Sequence, residues 1–392
     1  MPLSGRAGRS AERTFLVAAA RAFLHEEPVA QALATVDALD WDWILRRAEA
    51  ERFAPILYAV LGALPSPVPI LDRLRPAWLA WRRQHLLGVE QLSRLLAAFE
   101  REGIPALTLK GPALGEMLYR DPGLRPLTDL DLLVQPADVP RAVSLLAALG
   151  YRHLDAGHSL PYELAWRHAA TFADAEGRPG HLPIDLHWGL LDFPGITPVP
   201  RIDLEEIWQR VVKLHAWDQP AWGLGPEDLL IYLALHWAVH HAFSGLIWRL
   251  DLALLLRRGG NALDWERVAE CARRWRVGRA LWAALSEIQE DFGVQAPPAV
   301  LARLRPHGPR AAALDWLRRR GARLEELDYL VPVLLMDRGS DVLRALRSGA
   351  LPPAAWARFR YGTKSLPGAY LAHYRRIGRA CLRTLRAALA PR

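Results

Sequence analysis

The stretch LKGPALGEMLYRDPGLRPLTDLDLLV, Leu109–Val134, decides how the chain is read. It opens on the end of a short apolar run, Ile104–Leu109, and turns through Lys110-Gly111-Pro112 into a helical segment. After a Pro/Gly loop it re-emerges as a strand in which Asp129 and Asp131 alternate with Leu130, Leu132 and Leu133. On a strand, residues i and i+2 share a face, roughly 7 Å apart. Two carboxylates held there among apolar neighbours are costly unless a cation lies between them. A divalent metal is the obvious candidate.

The texture around this stretch, from about 101 to 200, is that of an α+β unit with a small mixed sheet. Ala106–Leu109, Asp129–Val134, Tyr151–Leu154, Ala169–Ala173 and Pro183–Trp188 read as strands. Helices start at Pro112 and span Ala137–Leu149, the latter closed by Gly150. Residues 1–100 read as helical, with apolar residues at three- and four-residue spacing in Ala11–Leu24, Trp43–Ala50, Arg52–Leu61 and Leu74–Phe99, and a Pro-rich break at Leu64–Ile70. Nothing in them points to chemistry. Helices dominate again from about 203, including Leu204–Val211, Pro226–Phe243 and Leu246–Arg257. The expected division is a helical N-terminal region (1–100), the α+β core (101–200), a helical region forming a substrate pocket (201–295) and a C-terminal helical region (296–392).

The chain has 392 residues, half of them hydrophobic, and a net charge of +8. That excess is almost all arginine, since the only lysines are Lys110, Lys213 and Lys364. A basic balance favours an anionic partner such as a nucleotide, but no Lys/Arg run interleaved with aromatics marks a nucleic-acid binder. Cys271 and Cys381 are far apart and form no framework. The most apolar late run, Leu229–Phe243, carries His236, His240 and His241 and is too short to span a bilayer. The expectation is a cytoplasmic protein without a transmembrane segment. The basic, amphipathic tail Tyr374–Leu389 can be read as a face for a membrane surface or a partner helix, or as the solvated face of a last bundle helix; the last is the expectation.

Four groups of residues carry chemistry. Asp129 and Asp131, with Asp185 from Ile184-Asp185-Leu186-His187-Trp188, place two acids on one strand and a third on another, a set able to bind Mg²⁺ alongside substrate phosphates. The alternative is a turn cap at Asp129 and arginine pairs for the other two. His187, two residues past Asp185, shares its face. Lys110-Gly111-Pro112 offers a point charge, a backbone open to close approach and a helix start suited to phosphate. Arg125 can hold a phosphate or orient the acids, or form an ion pair with Asp121 or Asp129. Finally, His236 and His240 share a helix face and Asp251 follows; with His187 and Asp185 they could form the His/Asp site of a metallohydrolase.

Taken in order, Leu-Lys-Gly before a helix, Arg125-Pro-Leu-Thr-Asp129-Leu-Asp131-Leu-Leu-Val, Ile184–Trp188 and Pro226-Glu-Asp-Leu-Leu…His236…His240…Trp248-Arg-Leu-Asp251 resemble one family. It is the bacterial nucleotidyltransferase family of largely unassigned substrate within the DNA-polymerase-β-like superfamily. The resemblance covers about 100–275. It implies a palm-like sheet, Mg²⁺ held by Asp129, Asp131 and Asp185, and transfer of a nucleoside monophosphate from an NTP such as ATP to an acceptor, with Asp185 helping to deprotonate that acceptor. It also implies nucleotide contacts from Lys110, Gly111, Arg125 and His187. Many superfamily members carry Gly-Ser where this chain has Lys110-Gly111, so Lys110 is expected to take over the serine's role at the phosphates. The acceptor, whether small molecule, peptide or protein, is not implied. A non-catalytic nucleotide- or partner-binding relative is the rival reading.

Overall fold

The computed structural model describes residues 10–27, 39–64, 68–154, 159–191, 201–214, 221–319 and 330–389. The start before Ser10 and the middle of the Pro-rich break, 65–67, lie outside them. Among the described residues four helices come first: α1 (Ser10–His25), α2 (Trp41–Ala50), α3 (Ala54–Gly62) and the long α4 (Leu71–Arg101). The central unit follows as β1 (Ala106–Thr108), α5 (Pro112–Leu118), β2 (Leu130–Val134), α6 (Val139–Ala148), β3 (Tyr151–His153), α7 (Leu160–Trp166), β4 (Ala169–Asp174) and β5 (Ile184–His187). After α8 (Leu204–Trp208) come two strands that the sequence reading missed, β6 (Val212–Leu214) and β7 (Ala221–Gly223). Each is only three residues long, too short for period-2 alternation to stand out.

The seven strands form one mixed sheet in the order β3-β4-β5-β2-β1-β7-β6. β2 is antiparallel to β1 and parallel to β5, while β7 adds to β1 in parallel. The α+β architecture with a mixed sheet is therefore as expected, and the sheet runs on past residue 200.

Alternation sorts the side chains of this sheet. Leu130, Leu132, Val134, Ile184 and Leu186 join a core under α4 and α6 with Leu92, Leu95, Leu96, Phe99, Ala142 and Leu146. Gln91 of α4 fixes that layer, its amide nitrogen donating to the Leu182 carbonyl and its oxygen accepting from the Leu182 amide, both at 2.8 Å. Leu107, Leu109 and Leu133 point the other way, into a second core shared by α1–α3, α9 (Pro226–Leu235), α10 (Leu246–Gly259), α11 (Trp265–Trp275) and α12 (Gly278–Phe292). Both faces of β2 are thus covered, which is why LDLLV is buried along its whole length. Asp131 and Asp185 share the face of Leu133, away from the α4 and α6 layer. Burying each of these leucines contributes about 1.5–3 kcal/mol, enough to hold two acids in a site that would not form on their account.

The chain closes with α13 (Pro298–Leu304), α14 (Pro309–Arg319), α15 (Leu330–Leu335), α16 (Gly339–Ala350), α17 (Ala354–Tyr361) and α18 (Leu366–Leu389). Among the described residues no helix is long and apolar enough to cross a membrane.

Candidate functional site

In the parallel ladder between β2 and β5, Asp131 lies opposite Asp185 and Leu133 opposite His187. The alternation that buries Leu130 and Leu132 therefore turns Asp131, Asp185 and His187 to one side. Donor atoms of these three residues lie within 4.8 Å of one another. Asp129 precedes the strand by one residue and stands outside this cluster, although it lines the same cleft. The set that converges is thus two carboxylates and an imidazole, where the sequence reading grouped three carboxylates.

Lys110 is delivered to the acids by the sheet. The Leu109 amide donates to the Asp131 carbonyl at 3.2 Å, extending the β1–β2 pairing by one residue. The next side chain, Lys110, then reaches Asp131, with Nζ 2.9 Å from Oδ1. His187 Nε2 lies 3.1 Å from the same oxygen. On β4, Thr171 Oγ1 donates to Asp185 Oδ1 at 2.7 Å. Gly111 adopts φ +58°, ψ −121°, and a Cβ there would stand 3.0 Å from Leu127 and 3.3 Å from the Asp129 carbonyl. Only glycine makes this turn without strain.

These neighbours pull the acids apart electrostatically. Burial pushes Asp131 up, but the Lys110 ammonium and the His187 hydrogen bond outweigh it and hold the carboxyl below the usual carboxylate range. Burial also works against the Lys110 ammonium, and Asp131 more than compensates, raising the lysine. Asp185 has no such cation; burial and then the charge of Asp131 push it up to about 6. Asp129 is raised by burial and by Asp131, with Lys110, Arg52 and Arg125 opposing. His187 is lowered by burial and is neutral at neutral pH. One acid is thus firmly ionised and another titrates close to neutrality, the pattern that separates an electrostatic role from a proton-accepting one.

Arg125 takes a partner the sequence did not suggest. Its guanidinium grips Asp251 of α10, with Nε 3.0 Å from Oδ1 and Nη2 2.8 Å from Oδ2, and its Nη1 donates to the Gly111 carbonyl at 3.3 Å. Tyr119 also donates to Asp251, at 2.7 Å. Neither Asp121 nor Asp129 is the ion-pair partner. Asp251 is fully buried and spent on this clamp, and it is not among the donors that converge with His187. This is a correction to the His/Asp metallohydrolase reading, which needed Asp251 at the metal. The clamp ties the loop before β2, the Lys110-Gly111 turn and α10 into one unit.

A cleft of about 240 Å³ opens over the acids. Lys110, Gly111, Arg125, Asp129, Asp131, Asp185 and His187 all line it, as do His236 and His240, whereas Asp251 does not. Opposite the charged sheet lies an aromatic wall. His236–His240 form a π-helical turn continuing α9. His241 stacks on Trp248 of α10 at 3.5 Å and 11°, and its Nε2 lies 3.0 Å from that of His236. Burial first, then the Lys110 charge, lowers His240 to about 4; burial likewise depresses His236 and His241, so this wall is uncharged at neutral pH. Trp237 is core, whereas Trp248 faces the cleft.

The helical N-terminal region also contributes, against expectation. Arg52, between α2 and α3, lines the cleft with its guanidinium 5.2 Å from the Trp248 ring centroid. It occupies the left-handed region at φ 56°, the conformation that ends α2. Its sequence signal, a lone arginine after a helix, is too common to be read.

The fold and cleft define a protein that gathers acids, a lysine and an arginine where a cation and a phosphate can meet. A family model described as uncharacterised nucleotidyltransferase matches residues 37–293. The chain belongs to that nucleotidyltransferase family. The match includes Arg52, the entire sheet and the aromatic wall, and ends at the close of α12. No curated protein matches the sequence.

Proposed function

We propose that the protein transfers a nucleoside monophosphate from an NTP to an acceptor, on a palm-like core of the DNA-polymerase-β-like kind, with Mg²⁺ as cofactor. The carrying observation is Asp131 opposite Asp185 in one ladder, their carboxylates turned with His187 and Lys110 into a single cleft. The donor chemistry suits a divalent cation: two carboxylates within reach of each other, with Asp129 adding oxygen donors to the same cleft. The imidazole of His187 widens the choice toward Mn²⁺. A cation held by Asp131 and Asp185 would neutralise charge on the transferred phosphoryl group and lower the pKa of an acceptor hydroxyl.

In the reaction, the acceptor oxygen attacks the α-phosphorus, the bond to the bridging oxygen breaks, and pyrophosphate leaves. Asp185, turned into the same cleft, would accept the hydroxyl proton. Lys110 and Arg52 supply positive charge for the leaving phosphates, and Gly111 lets them approach the backbone. Arg125 positions the turn through the Gly111 carbonyl and Asp251 and does not itself reach for the substrate. The neutral wall of His241 and Trp248 suits the flat face of a nucleobase or of an acceptor.

The test is label transfer and pyrophosphate release from α-labelled NTPs, ATP first, with Mg²⁺ or Mn²⁺ and a panel of hydroxyl-bearing small molecules, peptides and proteins. Loss of release in Asp131→Asn and Asp185→Asn is expected. Equal Mg²⁺-dependent NTP binding by the wild type and the double variant would sink the metal assignment.

A further inference from the structure

The net positive charge of this protein resides at one end. Residues 342–392 contain eleven Lys and Arg and no Asp or Glu, against a whole-chain net of +8, so the preceding 341 residues carry a net −3. An arginine-rich composition spread evenly along the chain would not give this division. The basic segment lies outside the family match, which ends at residue 293.

Its last helix has two apolar sides. Ala369, His373 and Ala380 of α18 are buried, and His373 anchors the helix, one ring nitrogen 3.0 Å from the Tyr361 hydroxyl and the other 2.6 Å from the Gly349 carbonyl. Tyr370 adds a bond to the Pro352 carbonyl at 2.7 Å. The opposite side is exposed, in keeping with the solvated face expected from the sequence, and it carries Leu371, Tyr374 and Leu382, exposed at 54%, 46% and 56%. At 100° per residue these three fall within about 80° of arc. Arg375, Arg379 and Arg383 run along one flank of that stripe, each exposed.

We propose that α18 docks the protein on an anionic lipid surface. The stripe of Leu371, Tyr374 and Leu382 would enter the boundary between headgroups and acyl chains. The flanking arginines would lay their methylene stems along that boundary and place their guanidinium groups at lipid phosphates. Charge complementarity selects the lipid: a segment with no acidic residue is drawn to a negative leaflet, each cation strengthening binding about fivefold near the surface. The leucines decide against nucleic acid, since Leu371 and Leu382 gain nothing from a phosphate backbone. No described helix is long and apolar enough to cross a membrane, and the attachment proposed here is peripheral. The proposal does not rest on the chemistry of the cleft.

The experiment is co-sedimentation of the full chain with vesicles of phosphatidylcholine alone and of phosphatidylcholine mixed with phosphatidylglycerol. The protein should pellet with the mixed vesicles and not with the neutral ones, and high salt should release it. The double variant Leu371→Ser, Leu382→Ser and the charge variant Arg375→Gln, Arg379→Gln, Arg383→Gln should each lose binding, with helix content checked by circular dichroism. The substituted side chains are exposed, so the fold should persist. Equal pelleting with both vesicle types, none with either, or undiminished binding by the leucine variant would overturn the proposal. So would DNA that strips the protein from vesicles while binding the leucine variant as tightly as the wild type, which would identify a nucleic-acid face.

Discussion

Replacing Lys110 with methionine tests the electrostatic core of the site. Asp131 is buried and Lys110 largely so, 2% and 12% exposed, with 2.9 Å between Nζ and Oδ1. At that distance, with an effective dielectric near 20, the gross attraction is about 6 kcal/mol. Much of it offsets the desolvation of both charges, so the intact pair adds little. Removing one partner is different, because Asp131 stays buried and uncompensated. The expected loss for Lys110→Met is about 3–5 kcal/mol, a large share of the roughly 5–15 kcal/mol of an ordinary domain. The assay is urea unfolding in the presence of a chelator. Adding Asp131→Asn to the same chain should recover most of the loss, since the leftover charge is gone. Mn²⁺ should also stabilise Lys110→Met, by about 2.7 kcal/mol at a hundredfold excess over Kd. In the same variant Mn²⁺ should bind more tightly, since the competing ammonium is absent, while nucleotide turnover falls. Unchanged stability of Lys110→Met, or no recovery on adding Asp131→Asn, would refute the reasoning.

Three further outcomes are expected. Asp251→Ala leaves Arg125 buried without its carboxylate and should cost about 3–5 kcal/mol in chemical denaturation, whereas an arginine serving only substrate would leave stability unchanged. Asp185, raised from 3.8 to about 6, holds a proton in the folded chain that the unfolded chain has already lost. This group's contribution to stability is therefore lost as pH rises through that window in metal-free protein, and Mn²⁺ affinity, followed by calorimetry, should fall about tenfold per pH unit below 6. Gly245 has φ +89°, and a Cβ there would lie 1.9 Å from the Trp248 ring. Gly245→Ala should thus displace Trp248 from its stack on His241 and cost about 1–3 kcal/mol, visible as a lower Tm and an altered near-ultraviolet circular dichroism spectrum.

The legible part of the site was the part written in local periodicity. Strand alternation needs only neighbouring residues, so Asp131 could be placed on the face away from Leu130 and Leu132, and His187 on the face of Asp185, before any contact was known. The Lys110-Gly111-Pro112 turn was legible for the same reason, since a glycine before a helix-starting proline has few conformations open to it. Asp129 was read as the first residue of a strand that begins at Leu130, and it lines the cleft of Asp131 and Asp185 from just before that strand.

The sequence by itself determined which residues could carry the chemistry, an α+β core, and two acidic strands with a lysine at the turn before them. Tertiary structure alone decided what each residue is paired with. The parallel β2–β5 register set Asp131 opposite Asp185. Arg125 and Asp251 are 126 positions apart, and the chain between them had to fold before that clamp existed. Arg52 reached the cleft because α2 and α3 pack into the same core as α9 and α10. Such pairings rest on burial between segments far apart in the chain, and a pattern read over neighbouring residues holds no record of them. The same reason hid the exposed face of α18: a leucine's spacing marks an apolar side, but only the packed fold shows which side has been left uncovered.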